Sequence, residues 1–142
     1  MASGLPDYSR VVRPRQGGAN LASNTKVAVA SAITFLLNVK GKGIIYGGVM
    51  LISYTSTQKN SFPTIYIDGV QMVSGSFYAT NFYALNKPDT LLFYELKYDD
   101  VNFVYAVALT PGITFESEVT IAIKEQHGTT PTVITWMTYA LM

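Results

Sequence analysis

The chain has 142 residues, of which 49% are hydrophobic and only 13% charged, with a net charge of +1 and no cysteine. That length makes one domain with a single apolar core. The charge balance gives no general attraction to nucleic acid, and the lack of cysteine excludes disulfide staples and thiolate zinc sites. The charged share is about half that of an ordinary soluble protein, so Tyr, Thr, Ser and Asn must cover much of the outside. Ten Tyr and seven Phe suit strands and equally suit a buried subunit interface.

The first 24 residues differ from the rest. Gly4, Pro6, Pro14, Gly17 and Gly18 punctuate them, and Val11, Val12 and Leu21 are the main apolar anchors. Such a segment buries too little surface to offset its own ordering entropy, so it reads as an extended arm ordered, if at all, by a neighbour. All three arginines, Arg10, Arg13 and Arg15, lie here against Asp7, while residues 25–142 hold seven Lys and eight acids. The stretch MASGLPDYSRVVRPRQGG has no apolar run of the signal-peptide kind. No run of about 18 apolar residues occurs anywhere, so no transmembrane helix is expected. A soluble chain made in a cytoplasm is the expectation.

From Thr25 the chain alternates apolar and polar residues with the period of a strand. Val27, Val29, Ile33, Phe35, Leu37 and Val39 fall on odd positions, and Gly41-Lys42-Gly43 reads as a turn. Residues 44–55 form a long strand, apolar on both faces, whose Gly47-Gly48 pair marks a bulge or a close backbone approach. Residues 57–61 are loop-like. The run Thr64 to Val73 places Asp68-Gly69 between two short β stretches, the signature of a two-residue hairpin turn. In residues 74–89, Phe77, Tyr78, Phe82, Tyr83 and Leu85 have near-helical spacing, so a short helix or an aromatic loop is expected there. Strands resume over 91–98 and 101–109, joined by Asp99-Asp100, and two more cover 113–124 and 132–141 around a loop at 125–131.

About eight hairpin-linked strands and no long helix predict an all-β fold. The expectation is an antiparallel β-sandwich, jelly-roll-like, over residues 25–142, behind the arm at 1–24.

Candidate chemistry is sparse. His127 is the only histidine, and it has no nucleophile motif or companion ligand at a recognisable spacing. Asp99-Asp100, and Glu116 with Glu118 on one strand face, offer oxygen ligands without a calcium-loop spacing. Gly41-Lys42-Gly43 lacks the spacing of a phosphate loop. No catalytic residue, cofactor or metal is therefore assigned. Phe77, Tyr78, Phe82 and Tyr83 are read as aromatics of a subunit interface. Arg10, Val11, Val12, Arg13 and Arg15 are read as an extended partner-binding stretch, with a protein partner preferred to nucleic acid.

The Cys-free, Tyr- and Thr-rich sandwich behind an arm resembles small structural proteins of viruses, above all of tailed bacteriophages. The hairpin Ile65-Tyr66-Ile67-Asp68-Gly69-Val70 and the final Val133-Ile134-Thr135-Trp136 strand share that character. The resemblance covers capsid decoration proteins, head fibres and tail β-sandwich domains. It implies a non-enzymatic virion protein, assembled in the host cytoplasm. It also implies a homo-oligomer, a trimer by preference, whose arm latches onto a neighbour or onto a major capsid or tail protein. No membrane contact is implied, and no functional residue carries over. The alternative is a carbohydrate-binding or adhesion module that presents aromatic loops.

Overall fold

A computed structural model describes residues 20–88 and 92–142. It contains strands β1 (Asn20–Val27), β2 (Ile33–Lys40), β3 (Gly43–Ser53), β4 (Phe62–Ile67) and β5 (Val70–Val73), then a short helix α1 (Phe77–Phe82). After these come β6 (Phe93–Asp99), β7 (Val104–Leu109), β8 (Ile113–Phe115), β9 (Glu118–Lys124) and β10 (Thr132–Leu141). The strands form two antiparallel sheets. One runs β1-β10-β3-β7-β6, with β8 also on β3, and the other runs β2-β9-β4-β5.

The pairing is nested. β1 pairs with β10, β2 with β9, β3 with β7 and β8, and β4 with β5. The chain is in effect one long hairpin rolled into two facing sheets, the jelly-roll pattern, with β6 added at one edge. The core between the sheets takes Ile45, Met50, Ile52, Phe93, Tyr105, Val107, Phe115 and Met137 from one sheet. The other sheet contributes Leu37, Ile65, Val119, Ile121 and Ile123, all buried.

The sandwich matches the expected fold class, with ten strands in place of about eight. Three local readings change. Residues 20–24, placed in the arm, belong to β1, where Asn20 lies opposite Tyr139 and Asn24 opposite Thr135. β1 is a polar edge strand held by backbone bonds to β10, so its side chains give no apolar alternation to read. The odd-position run from Val27 to Val39 is not one buried face: Val27, Val29 and Phe35 are exposed. The chain turns at Ser31, whose φ is 53°, and a register shift between Phe35 and Leu37 turns both Leu36 and Leu37 inward. Glu116 and Glu118 do not share a strand face either, because Glu116 sits in the turn between β8 and β9.

The Gly47-Gly48 expectation holds. The ladder between β10 and β3 shifts register at this point, and a Cβ on Gly48 would lie 2.8 Å from the Trp136 carbonyl oxygen. The Asp68-Gly69 turn is present as expected, with φ of 53° and 82° at the two residues, the positive pair that a tight hairpin turn requires.

Candidate functional site

The loops 28–32, 54–61, 99–103 and 125–131 gather at one end of the sandwich, where α1 bridges the space between β5 and β6. Ser76 caps α1, its Oγ accepting the Ala79 N–H at 3.1 Å. The Thr80 hydroxyl donates to the carbonyls of Ser76 and Phe77, so the helix satisfies its own buried polar atoms. Its backbone is tied to the neighbouring loop by Phe77 N–H to Ser61 O and Tyr78 N–H to Lys59 O, at 3.2 and 2.6 Å.

The four aromatics proposed from the sequence separate here. Phe77 is 1% exposed and packs on Tyr105, ring centroids 5.8 Å apart. It belongs to the core and is unavailable to a partner. Helical geometry sends the next residues outward: Tyr78 is partly exposed, Phe82 is 64% exposed and Tyr83 is 68% exposed. Tyr78 stacks on Phe82 at 5.8 Å and Phe82 meets Tyr83 edge-on at 5.0 Å. The Lys59 ammonium lies 5.8 Å from the Tyr78 ring centroid and also 3.5 Å from Asp100. On the other flank, the Asn81 amide donates to Glu95 at 2.7 Å. The outcome is a ridge of three packed aromatic rings flanked by a lysine and two carboxylates.

Behind the ridge, Asp100 accepts the Tyr105 hydroxyl at 2.6 Å and the Thr57 hydroxyl at 3.3 Å. The Tyr105 hydrogen bond holds the Asp100 carboxyl below the usual carboxylate range. Burial, then the bond to Asp100, pushes the Tyr105 hydroxyl up. Burial followed by the Asp100 charge pushes Tyr98, edge-on to Tyr105 at 5.1 Å, to about 12. Asp99 takes a different role: its carboxylate closes the turn by accepting the Val101 and Asn102 N–H groups at 3.0 and 2.9 Å.

A second polar node joins the loops on the other flank. Glu125 is buried, and its carboxylate accepts the N–H groups of Ser31, His127, Gly128 and Thr129 and the Thr129 hydroxyl. Burial alone would raise its pKa, but these bonds outweigh it and hold the group below its ordinary value. Gln58, fully buried, donates to the Thr129 hydroxyl and accepts from Ser61. His127 Nε2 accepts the Asn60 N–H at 2.9 Å, so the single histidine is a clasp between loops. Sequence reasoning missed Glu125 and Gln58, because neither sits in a motif: Glu125 binds mainly backbone N–H groups, three of them just downstream and one 94 residues away, and Gln58 reaches Thr129 across 71 residues. A depression of about 400 Å³ beside this node is lined by Ser31, Ala32, Ile33, Lys124, Glu125 and Gln126.

Among the described residues, the resolved shifts run downward for Asp68, Asp99, Asp100 and Glu125 and upward for Tyr98 and Tyr105. Among the described residues no group of three His, Asp or Glu side chains is placed to hold a metal ion, and no helix is long and apolar enough to cross a membrane. The arm candidates Arg10, Val11, Val12, Arg13 and Arg15 lie outside the described residues. Neither the protein-family models nor the curated proteins contain a match to this chain.

Proposed function

We propose that this protein is a non-enzymatic structural component of a larger particle, of the virion type that its sequence resembles. In this reading it self-associates, by preference as a trimer, and attaches to a capsid or tail protein through its N-terminal segment. The observation that carries the reading is the ridge of Tyr78, Phe82 and Tyr83. Three aromatics packed in series on a capped, loop-tethered helix form a patch of the kind enriched at the centres of protein interfaces, in a chain with few charges to solvate it. The jelly-roll pattern is compatible, since capsid domains use it, but a fold by itself does not assign a function.

A second reading draws on the polar groups beside the ridge. Lys59, Asp100 and the Asn81–Glu95 pair flank exposed rings, as in a platform that stacks sugars, and lectin domains share the same architecture. Those polar groups are already bonded to one another, which favours the assembly reading.

Sedimentation velocity of the wild type and of Phe82→Asp tests it. The expected result is an oligomer for the wild type and a shift toward monomer for the variant, with the far-UV spectrum unchanged because Phe82 lies outside the core. A wild type that stays monomeric while binding glycans in a screen would overturn the assembly reading in favour of the second.

A further inference from the structure

Apart from the three-residue β8, which pairs with β3 alone, the two sheets have four edges, and three of them are guarded. β1 and β2 lie against each other, where the Asn24 amide donates to Leu36 O at 2.8 Å and the Lys26 ammonium to Phe35 O at 3.1 Å. β6 carries Glu95 and Lys97 and a register shift between them, the charges and bulge that blunt an edge strand. β5 has none of these devices. It is Val70-Gln71-Met72-Val73, uncharged, without Pro or bulge. All four residues are exposed, Val70 at 59% and Val73 at 46%. Among the described residues its outer edge pairs with nothing. Shortness is its one protection.

We infer that the β5 edge is an acceptor for strand addition, and that its occupant is the segment around Arg10-Val11-Val12-Arg13 of a second copy of this chain. This rests on the self-associating reading above. Three observations select the occupant. The Val11-Val12 pair is β-branched, and Pro14 just after it would end an added strand. Asn20 begins β1 opposite Tyr139, so the preceding chain leaves at the end of the sandwich where the Asp68-Gly69 turn starts β5. Val12 lies eight residue steps before Asn20, a reach of about 26 Å when extended, enough to leave one sandwich and lie along another. Charge agrees as well. The turns around Asp68 hold Asp68, Glu116 and Glu118 against Lys40 and Lys42, a net negative neighbourhood for the arginines that bracket the valines. A second copy is preferred to the chain's own segment because β1 lies on the β2 side of the sandwich, with β9 and β4 between β2 and β5.

The cysteine-free chain permits a clean test by thiol cross-linking. Full-length Val12→Cys is mixed under mild oxidation with full-length Gln71→Cys or Val73→Cys, and separately with Val101→Cys, an exposed site at the opposite end. The expected result is a covalent heterodimer with position 71 or 73 at least tenfold more abundant than with position 101. Equal yields at all three positions, or none, overturn the inference. So does a double variant, Val12→Cys with Gln71→Cys, that closes only within one chain. Sedimentation of the wild type separates the two claims: an oligomer without the cross-link removes the strand-addition site and leaves the assembly reading intact.

Discussion

The Asp68 carboxylate accepts the Ser117 N–H at 2.7 Å across 49 residues of sequence, so the tip of the β4–β5 hairpin is fastened to the turn that opens β9. The N–H groups of Glu116 and Glu118 and the Ser117 hydroxyl complete the set. These bonds, Ser117 first, hold the Asp68 pKa at about 2 against an ordinary 3.8. A depressed carboxylate stabilises the fold fully above the unfolded value and loses that contribution as pH falls toward the folded one. Asp68→Asn is therefore expected to lower the urea midpoint at pH 6, and the gap to wild type should shrink between pH 4 and pH 2. A gap that is the same at both pH values would show that the charge is not what the turn uses.

Gly69 sits at φ 82° with open space where a side chain would be, so a substitution there meets backbone strain and no clash. Gly69→Val should cost at least about 1 kcal/mol, since a β-branched residue resists positive φ, whereas Gly69→Asn should cost less. Thermal unfolding of both variants gives the comparison, and an unchanged melting temperature for the valine variant would contradict it.

Thr135 lies on the inward face of β10 between Val133 and Met137, and its hydroxyl is buried without a partner. Valine has nearly the same shape and no hydroxyl to desolvate. Thr135→Val is expected to raise stability by about 1 kcal/mol, read as a higher denaturant midpoint with the same slope.

Two truncations should differ sharply. Removing residues 1–19 is expected to leave the sandwich folded, because the core cluster is built from later residues, while weakening attachment to the parent particle or to neighbouring subunits. Removing residues 1–27 takes away β1 and its whole ladder with β10. At about 0.5–1.5 kcal/mol per hydrogen bond, that loss should exceed 2 kcal/mol and expose β10 as a long new edge. Melting curves of the two truncated proteins report the difference. Equal melting temperatures would show that β1 adds nothing to the fold.

How much of this was legible in the sequence depends on where the determining interaction lies. The Asp68-Gly69 turn was readable because two adjacent residues specify it, and the close approach at Gly48 because only glycine fits. The alternation of β9 and β10 was readable because one face of each is buried. The bulge at Leu36 was not, since it changes the parity of a strand through its pairing with β9, and pairing is not written in β2 alone. The separation of Phe77 from Phe82 needed the direction of each side chain around a short helix, which a cluster of aromatics does not reveal. The Glu125 node was hidden for the same reason as β1: its partners are backbone N–H groups, which every residue except proline offers.

The nested pairing also sets an order of events during synthesis. β4 with β5 and β6 with β7 are hairpins that can close as soon as they emerge, but β10 supplies the partner of both β1 and β3. Until that strand leaves the ribosome, β1 has no neighbour in its sheet and the edge of β3 stays open. Until then the β1-β10-β3-β7-β6 sheet stays unfinished, whatever the state of the other sheet, whose β2–β9 ladder also joins distant segments and is slow to form. The apolar residues of that unfinished sheet are then the surface a chaperone would meet, and a premature stop before Thr132 would leave the molecule at that stage.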